Sequence, residues 1–106
     1  LKMAMKKTAS ANLTQALGAT IIELTESGFT SQITVGGTAT SGTIAFEYRN
    51  NGTWFTLTDK YGTALVINMA SNTRAYMAYG AFDAIRVTPT SIAGGYYIVE
   101  VISAEI

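Results

Sequence analysis

The sequence predicts an all-β chain folded as a two-sheet antiparallel β-sandwich, jelly-roll or immunoglobulin-like, with about eight strands and an extended N-terminal arm. Three observations carry this. Thr occurs 16 times in 106 residues, and this β-branched residue suits pleated, half-exposed surfaces. Ten Gly punctuate the chain at short intervals, as turns between short strands do. Between those turns, apolar and polar residues alternate with the two-residue period of a half-buried strand. A chain of 106 residues matches one domain of ~100–200 residues.

Residues 1–19 read differently from the rest. Leu1-Lys2-Met3-Ala4-Met5-Lys6-Lys7 holds three of the four lysines, and the first acid is Glu23. Met, Ala and Lys favour helix, but seven residues are too few to hold one alone. The segment is either a frayed, solvated terminus or an arm that orders on a neighbour. In the second case Leu1, Met3 and Met5 supply apolar area and Lys2, Lys6 and Lys7 supply rim charges. The polar run Thr8-Ala9-Ser10-Ala11-Asn12 argues against a signal peptide, whose charged start is followed by an apolar stretch. The expected division is therefore an arm over 1–19 and a sandwich over 20–106.

Strands are expected at 20–25 and 31–35. The clearest strand covers 43–49, where Ile44, Phe46 and Tyr48 face one way and Thr43, Ala45, Glu47 and Arg49 the other. Asn50-Asn51-Gly52 follows, and Asn-Gly is the strongest short hairpin signal because both residues tolerate positive φ. The return strand is 53–58, with Phe55 and Leu57 on one face and Trp54, Thr56 and Thr58 on the other. Asp59-Lys60-Tyr61-Gly62 reads as a turn. The near-continuous apolar run at 63–69 reads as a central strand, and 70–73 as a loop. Residues 74–79 form a strand with Ala75, Met77 and Tyr79 sharing a face. A strand at 84–88 is expected to stop at Pro89, which cannot donate to a ladder. After a loop at 90–95, residues 96–102 close the domain. There Tyr97, Val99 and Val101 lie opposite Tyr96, Ile98, Glu100 and Ile102.

Composition narrows the function classes. His and Cys are absent, which excludes Ser-His-Asp and Cys-His nucleophilic machinery, Cys/His zinc sites and disulfides. Seven Lys+Arg balance seven Asp+Glu, whereas a dedicated nucleic-acid binder needs a basic excess to neutralise phosphates. The most apolar stretch, residues 64–70, is far short of the ~20 residues that cross a bilayer. No enzyme, cofactor or metal is expected. Scattered Asp59 and Asp83 are too few for a calcium site, and Gly36-Gly37 and Gly94-Gly95 read as turns rather than phosphate loops.

Four groups of residues invite a functional reading. Trp54, with Tyr61 or Tyr79, offers a stacking platform for a sugar. Core or interface packing of those aromatics is the plainer account. Glu23 with Glu26, or Glu47 with Glu100, offer carboxylate pairs of the glycosidase kind, against which stands ordinary solvation or ion pairing. Arg86 sits in the apolar strand Ala84-Ile85-Arg86-Val87. It either faces solvent or pairs with Asp83, Glu47 or Glu100 across the sheet. The lysines and methionines of the arm complete the set.

The stretch from Gly42-Thr43-Ile44 through Asn50-Asn51-Gly52-Thr53-Trp54-Phe55-Thr56-Leu57 resembles a hairpin common in small bacteriophage virion proteins. Ala81-Phe82-Asp83-Ala84-Ile85-Arg86-Val87 is similar to a later strand of that family, and residues 91–101 to its closing segment. The resemblance covers roughly residues 33–103. It departs from the family pattern in a turn one residue shorter and in Pro89. It implies a β-sandwich of phage capsids, decoration proteins and tail or fibre parts, with no catalytic residue among the matching positions. The function so implied is a capsid decoration or cement subunit. It would be placed on the capsid exterior after assembly in the host cytoplasm. Its partners would be the major capsid protein or other virion subunits, and further copies of itself as a homo-oligomer. Sparse, balanced charge favours such association over solubility. The alternative is a carbohydrate-binding or tail/fibre β-sandwich module.

Overall fold

The computed structural model describes residues 4–24, 30–59, 61–71, 74–79 and 83–105. Among these are nine strands: β1 (Ala4–Ala9), β2 (Thr20–Glu23), β3 (Thr30–Gly37), β4 (Ser41–Asn50), β5 (Thr53–Thr56), β6 (Val66–Asn68), β7 (Ala75–Tyr79), β8 (Ala84–Ala93) and β9 (Tyr97–Glu105). A single 3-10 turn, Gln15–Leu17, lies between β1 and β2. The first sheet runs β1-β9-β3-β7 and the second β2-β8-β4-β5, with β6 also on β4. All pairs are antiparallel. The two sheets pack as a sandwich around one apolar core.

The pairing is nested. β1 pairs β9, β2 pairs β8, β3 pairs β7, and β4 pairs β5 and β6. The chain is thus one long hairpin, turned back at Asn51-Gly52 and rolled up. Rolling adds the β3–β9 and β4–β8 pairs. This is the connectivity of a jelly roll rather than of an immunoglobulin-like sandwich. β5 and β6 together fill one strand position beside β4, so nine strands occupy eight places.

Alternation decides what is buried. Ile33 and Val35 of β3 and Tyr97, Val99 and Val101 of β9 face Ile44 and Phe46 of β4 and Ile85 and Val87 of β8 in the core. The Asn-Gly turn is where expected, and beside it Arg49 opposes Trp54 and Asn50 opposes Thr53. Asn51 and Gly52 carry φ of 52° and 79°, the left-handed pair that matches strand twist in a two-residue hairpin. Gly42 has φ 100° at the register shift between β4 and β8. A Cβ there would stand 2.6 Å from the Ser91 carbonyl oxygen, so the close approach requires Gly.

Four expectations are corrected. The first is the free arm over 1–19. Residues 4–9 pair in register with 105–100 of β9. The Ser10 N–H then donates to the Val99 carbonyl at 2.8 Å, and Leu13 and Tyr97 exchange backbone bonds at 2.8 Å. Leu13 is buried. Low strand propensity is overridden because β9 offers a ladder, and lysines are tolerated on an edge strand.

The second correction concerns 63–69, which is not central. Only Val66–Asn68 is a strand, and it lies on the outer side of β4. Leu65, Ile67 and Met69 are buried while Val66 is exposed, so the apolar run hides an alternation. The third concerns the return strand, which ends at Thr56. Leu57 still donates to the Phe46 carbonyl, and a bridge joins Thr58 to Ala64 around the intervening loop.

The fourth concerns Pro89. β8 runs through it to Ala93, so most of the expected 90–95 loop is strand. Pro89 sits beyond the end of β2, and its carbonyl points away from β4 to accept from Gln15 Nε2 at 3.3 Å. Its nitrogen faces the same way, so no β4 ladder bond is lost. Gln15 Oε1 accepts from Ile92 N–H at 2.9 Å. One side chain thus covers the strand edge that β2 leaves open.

Candidate functional site

Two rows of side chains cross the outer face of the second sheet. One reads Ile21, Arg86, Glu47, Thr56, and the other Glu23, Ala84, Arg49, Trp54. Each row takes one residue from β2, β8, β4 and β5 in turn. Antiparallel registration brings directly opposed side chains onto one face.

Arg49 is tied twice. Its Nε lies 2.6 Å from Asp83 Oδ1 and its Nη2 2.6 Å from Glu23 Oε2. These hydrogen bonds, to Asp83 first and then Glu23, hold its guanidinium above the ordinary arginine pKa. Arg86 pairs with Glu47 at 2.9 Å, which raises it likewise. Of the partners expected for Arg86, Glu47 is the one it takes. Both guanidiniums lie over the Trp54 ring, Arg86 at 4.5 Å and Arg49 at 5.5 Å from its centroid. Trp54 is half-buried. The cluster is therefore a cation–π stack with its cations neutralised by three carboxylates.

The sequence-derived site residues do not all meet. Tyr61 is 81% exposed at the tip of the 59–63 loop. That loop is held by Asp59 Oδ1, which accepts from the Tyr61 and Thr63 N–H groups at 2.8 and 3.0 Å. Tyr79 lies in β7 of the other sheet, so Trp54 and Tyr79 do not form one platform. The carboxylates are held by bases: Glu23 by Arg49, Glu47 by Arg86, and Glu100 by Lys7 at 3.0 Å. Lys7, Met5 and Lys6 belong to β1. Leu1, Lys2, Met3 and Glu26 lie outside the described residues. Among the described residues no three His, Cys, Asp or Glu gather to hold a metal ion, and no helix is long and apolar enough to cross a membrane.

Sequence reasoning missed Arg49 as a hub, because Glu23 and Asp83 reach it only through the rolled topology. It also missed the hydrogen bond between Ser31 and Ser103, whose hydroxyl oxygens meet at 2.9 Å while both residues are buried. Tyr97 carries a buried hydroxyl with no partner among the described residues, and burial pushes its pKa up.

No protein-family model matches the chain, and no curated protein does. Solved structures do. The SPBc2 prophage-derived protein YomS matches with a TM-score of 0.69 at 18% identity, over 99% of this chain and 96% of that one. The PBSX exported protein XepA matches with a TM-score of 0.70 at 18% identity. It covers 97% of this chain, which spans only 38% of XepA. A mutant of a family 29 carbohydrate-binding module matches with a TM-score of 0.54 at 10% identity, over 98% of this chain and 87% of that one. At these identities the likeness establishes the shared β-sandwich.

Proposed function

We propose that this chain is a structural subunit of a bacteriophage particle, acting through protein–protein contacts, with capsid decoration as its place. The end-to-end match to a prophage-derived protein carries the reading. The outer face of the second sheet supports it. Its two arginines are each paired with carboxylates, while Ile21 and Val66 beside them are exposed. Arg and aromatic side chains, as in this cluster, are enriched at protein–protein contacts. The test is to fractionate purified phage particles on a density gradient and locate the chain by mass spectrometry. Purified chain is then added to particles that lack it. Co-sedimentation in both supports a particle subunit, and co-sedimentation with tailless heads supports decoration. Recovery only in the soluble fraction, with no binding to particles, overturns it.

A carbohydrate-binding or tail/fibre module is the second reading, favoured by Trp54 and by the carbohydrate-binding neighbour. Against it, Arg86 already occupies the stacking position over the ring. Titration with oligosaccharides followed by Trp54 fluorescence separates the two. A saturable change, with calorimetric binding that Trp54→Ala abolishes, favours the sugar, and no change leaves the particle reading in place.

A further inference from the structure

The four sheet edges differ. In the second sheet, β2 is four residues long, and the β5/β6 edge is interrupted by the 59–63 loop. Short or broken edges are poor templates for another strand. The first sheet ends on β7, Ala-Tyr-Met-Ala-Tyr, which has no Pro and no charge. Among the described residues nothing pairs with its outer side. Its other end is β1, also unpaired outward, where the one lysine with a described partner is held by Glu100.

Direction and parity make these two edges complementary. The sheet has four strands, all antiparallel, so its two edge strands run in opposite senses. A second copy placed beside the first without inversion therefore lays its β1 antiparallel to β7. The Arg74 carbonyl faces β3, where it accepts from the Val35 N–H, and Ser10 N–H faces β9. In an antiparallel ladder the peptide groups alternate sides. Residues 75, 77 and 79 thus present their N–H and C=O groups outward on one edge, and residues 5, 7 and 9 on the other. Three meets three. In the fully overlapped register Ala75 opposes Ala9, Met77 opposes Lys7 and Tyr79 opposes Met5. Ala75, Met77, Lys7 and Ala9 are all exposed, as residues on one continuous outer face must be.

We propose that copies of this chain join head to tail, β7 of one against β1 of the next, so that the first sheet runs on through the assembly. The occupant of each edge is a second copy of this chain. This rests on the reading of the chain as a subunit of a larger assembly, and it names the surface. Such a contact is heterologous, so it propagates until rotation closes a ring or leaves an open helix. Strand twist sets that rotation.

The test is light scattering on the purified chain over a concentration series. Wild type should show a mass that climbs past the dimer. Met77→Pro and Ala9→Pro each remove an outward N–H and spare the inner ladder. Each variant alone should be monomeric, and their equimolar mixture should stop at a dimer, because each retains the edge the other lacks. Circular dichroism checks that both are folded. Should either proline unfold the chain, the register is read by charge. Met77→Lys opposes Lys7 and should weaken association several-fold, whereas Met77→Glu should strengthen it several-fold at low salt and lose that gain at high salt. A wild type monomeric up to about 1 mM, one that stops at a closed dimer, or folded proline variants that still assemble alone would each overturn the proposal. So would equal association of the Lys and Glu variants. Binding to particles is measured apart. A monomer that binds particles overturns only the edge contact, and an assembler absent from particles overturns only the particle reading.

Discussion

Tyr97 is fully buried, yet its hydroxyl has no hydrogen-bond partner among the described residues. An unsatisfied buried polar group costs about 1–3 kcal/mol, so Tyr97→Phe should raise stability by roughly 1 kcal/mol in urea unfolding at pH 7. Burial raises the folded-state pKa of this phenol. Below about pH 10, where a free tyrosine titrates, the hydroxyl is neutral in both states and its contribution is constant. Above that pH the unfolded state ionises first and stability falls. The variant should lack that share of the alkaline loss. Ser31 and Ser103 give the opposite case, a buried pair that satisfies itself. Ser31→Ala alone should cost about 1–3 kcal/mol by stranding the partner, whereas replacing both should be nearly neutral. Thermal melts of the two single variants and the double variant check this. At this scale the sequence is uneven. The Arg86–Glu47 pair was legible only as one of three partners offered for Arg86, because strand alternation puts residues on outer faces without saying which strands are neighbours. The Ser31–Ser103 pair was not, since two serines 72 positions apart carry no local signal of meeting.

The turn at Asn51-Gly52 and the faces of its two strands were legible, because turn chemistry and alternation agree there, but the strand ends were not. β1 was not. Its Met, Ala and Lys content points away from strand, and only the open side of β9 makes it one. β8 was legible as far as Pro89 and no further. Whether a proline ends a strand depends on which side its nitrogen faces, and local sequence does not encode that. The pairing of β1 changes what a truncation should do. Ladder bonds are worth about 0.5–1.5 kcal/mol each, so deleting residues 1–10 should cost ~2–5 kcal/mol. That is a large part of the ~5–15 kcal/mol that holds a domain. Differential scanning calorimetry should show Tm falling by more than about 10 °C. An unchanged Tm would mean that β1 contributes nothing to the folded domain.

Over the whole molecule, the two-sheet class was legible from period and turn spacing, but the nesting of strand pairs was not. Alternation says which face a residue takes and is silent on which strand lies beside it. The outer-face cluster inherits the same limit, since Glu23, Asp83, Arg49 and Trp54 come together only after rolling. Nesting also leaves Ala4 directly opposite Glu105, so both ends of the described chain sit side by side. This sets how the molecule bears load. Tension applied at these two points meets the β1–β9 ladder end-on, and its bonds carry the force one after another, like a zip, rather than together in shear. Single-molecule pulling from residues 4 and 105 should therefore open the first and last strands at low force. Pulling from residues 4 and 96, at opposite ends of the β1–β9 ladder, loads those bonds together and should demand a markedly higher force. A domain of this design withstands stress applied along its ladders, and yields when it is tugged by its ends.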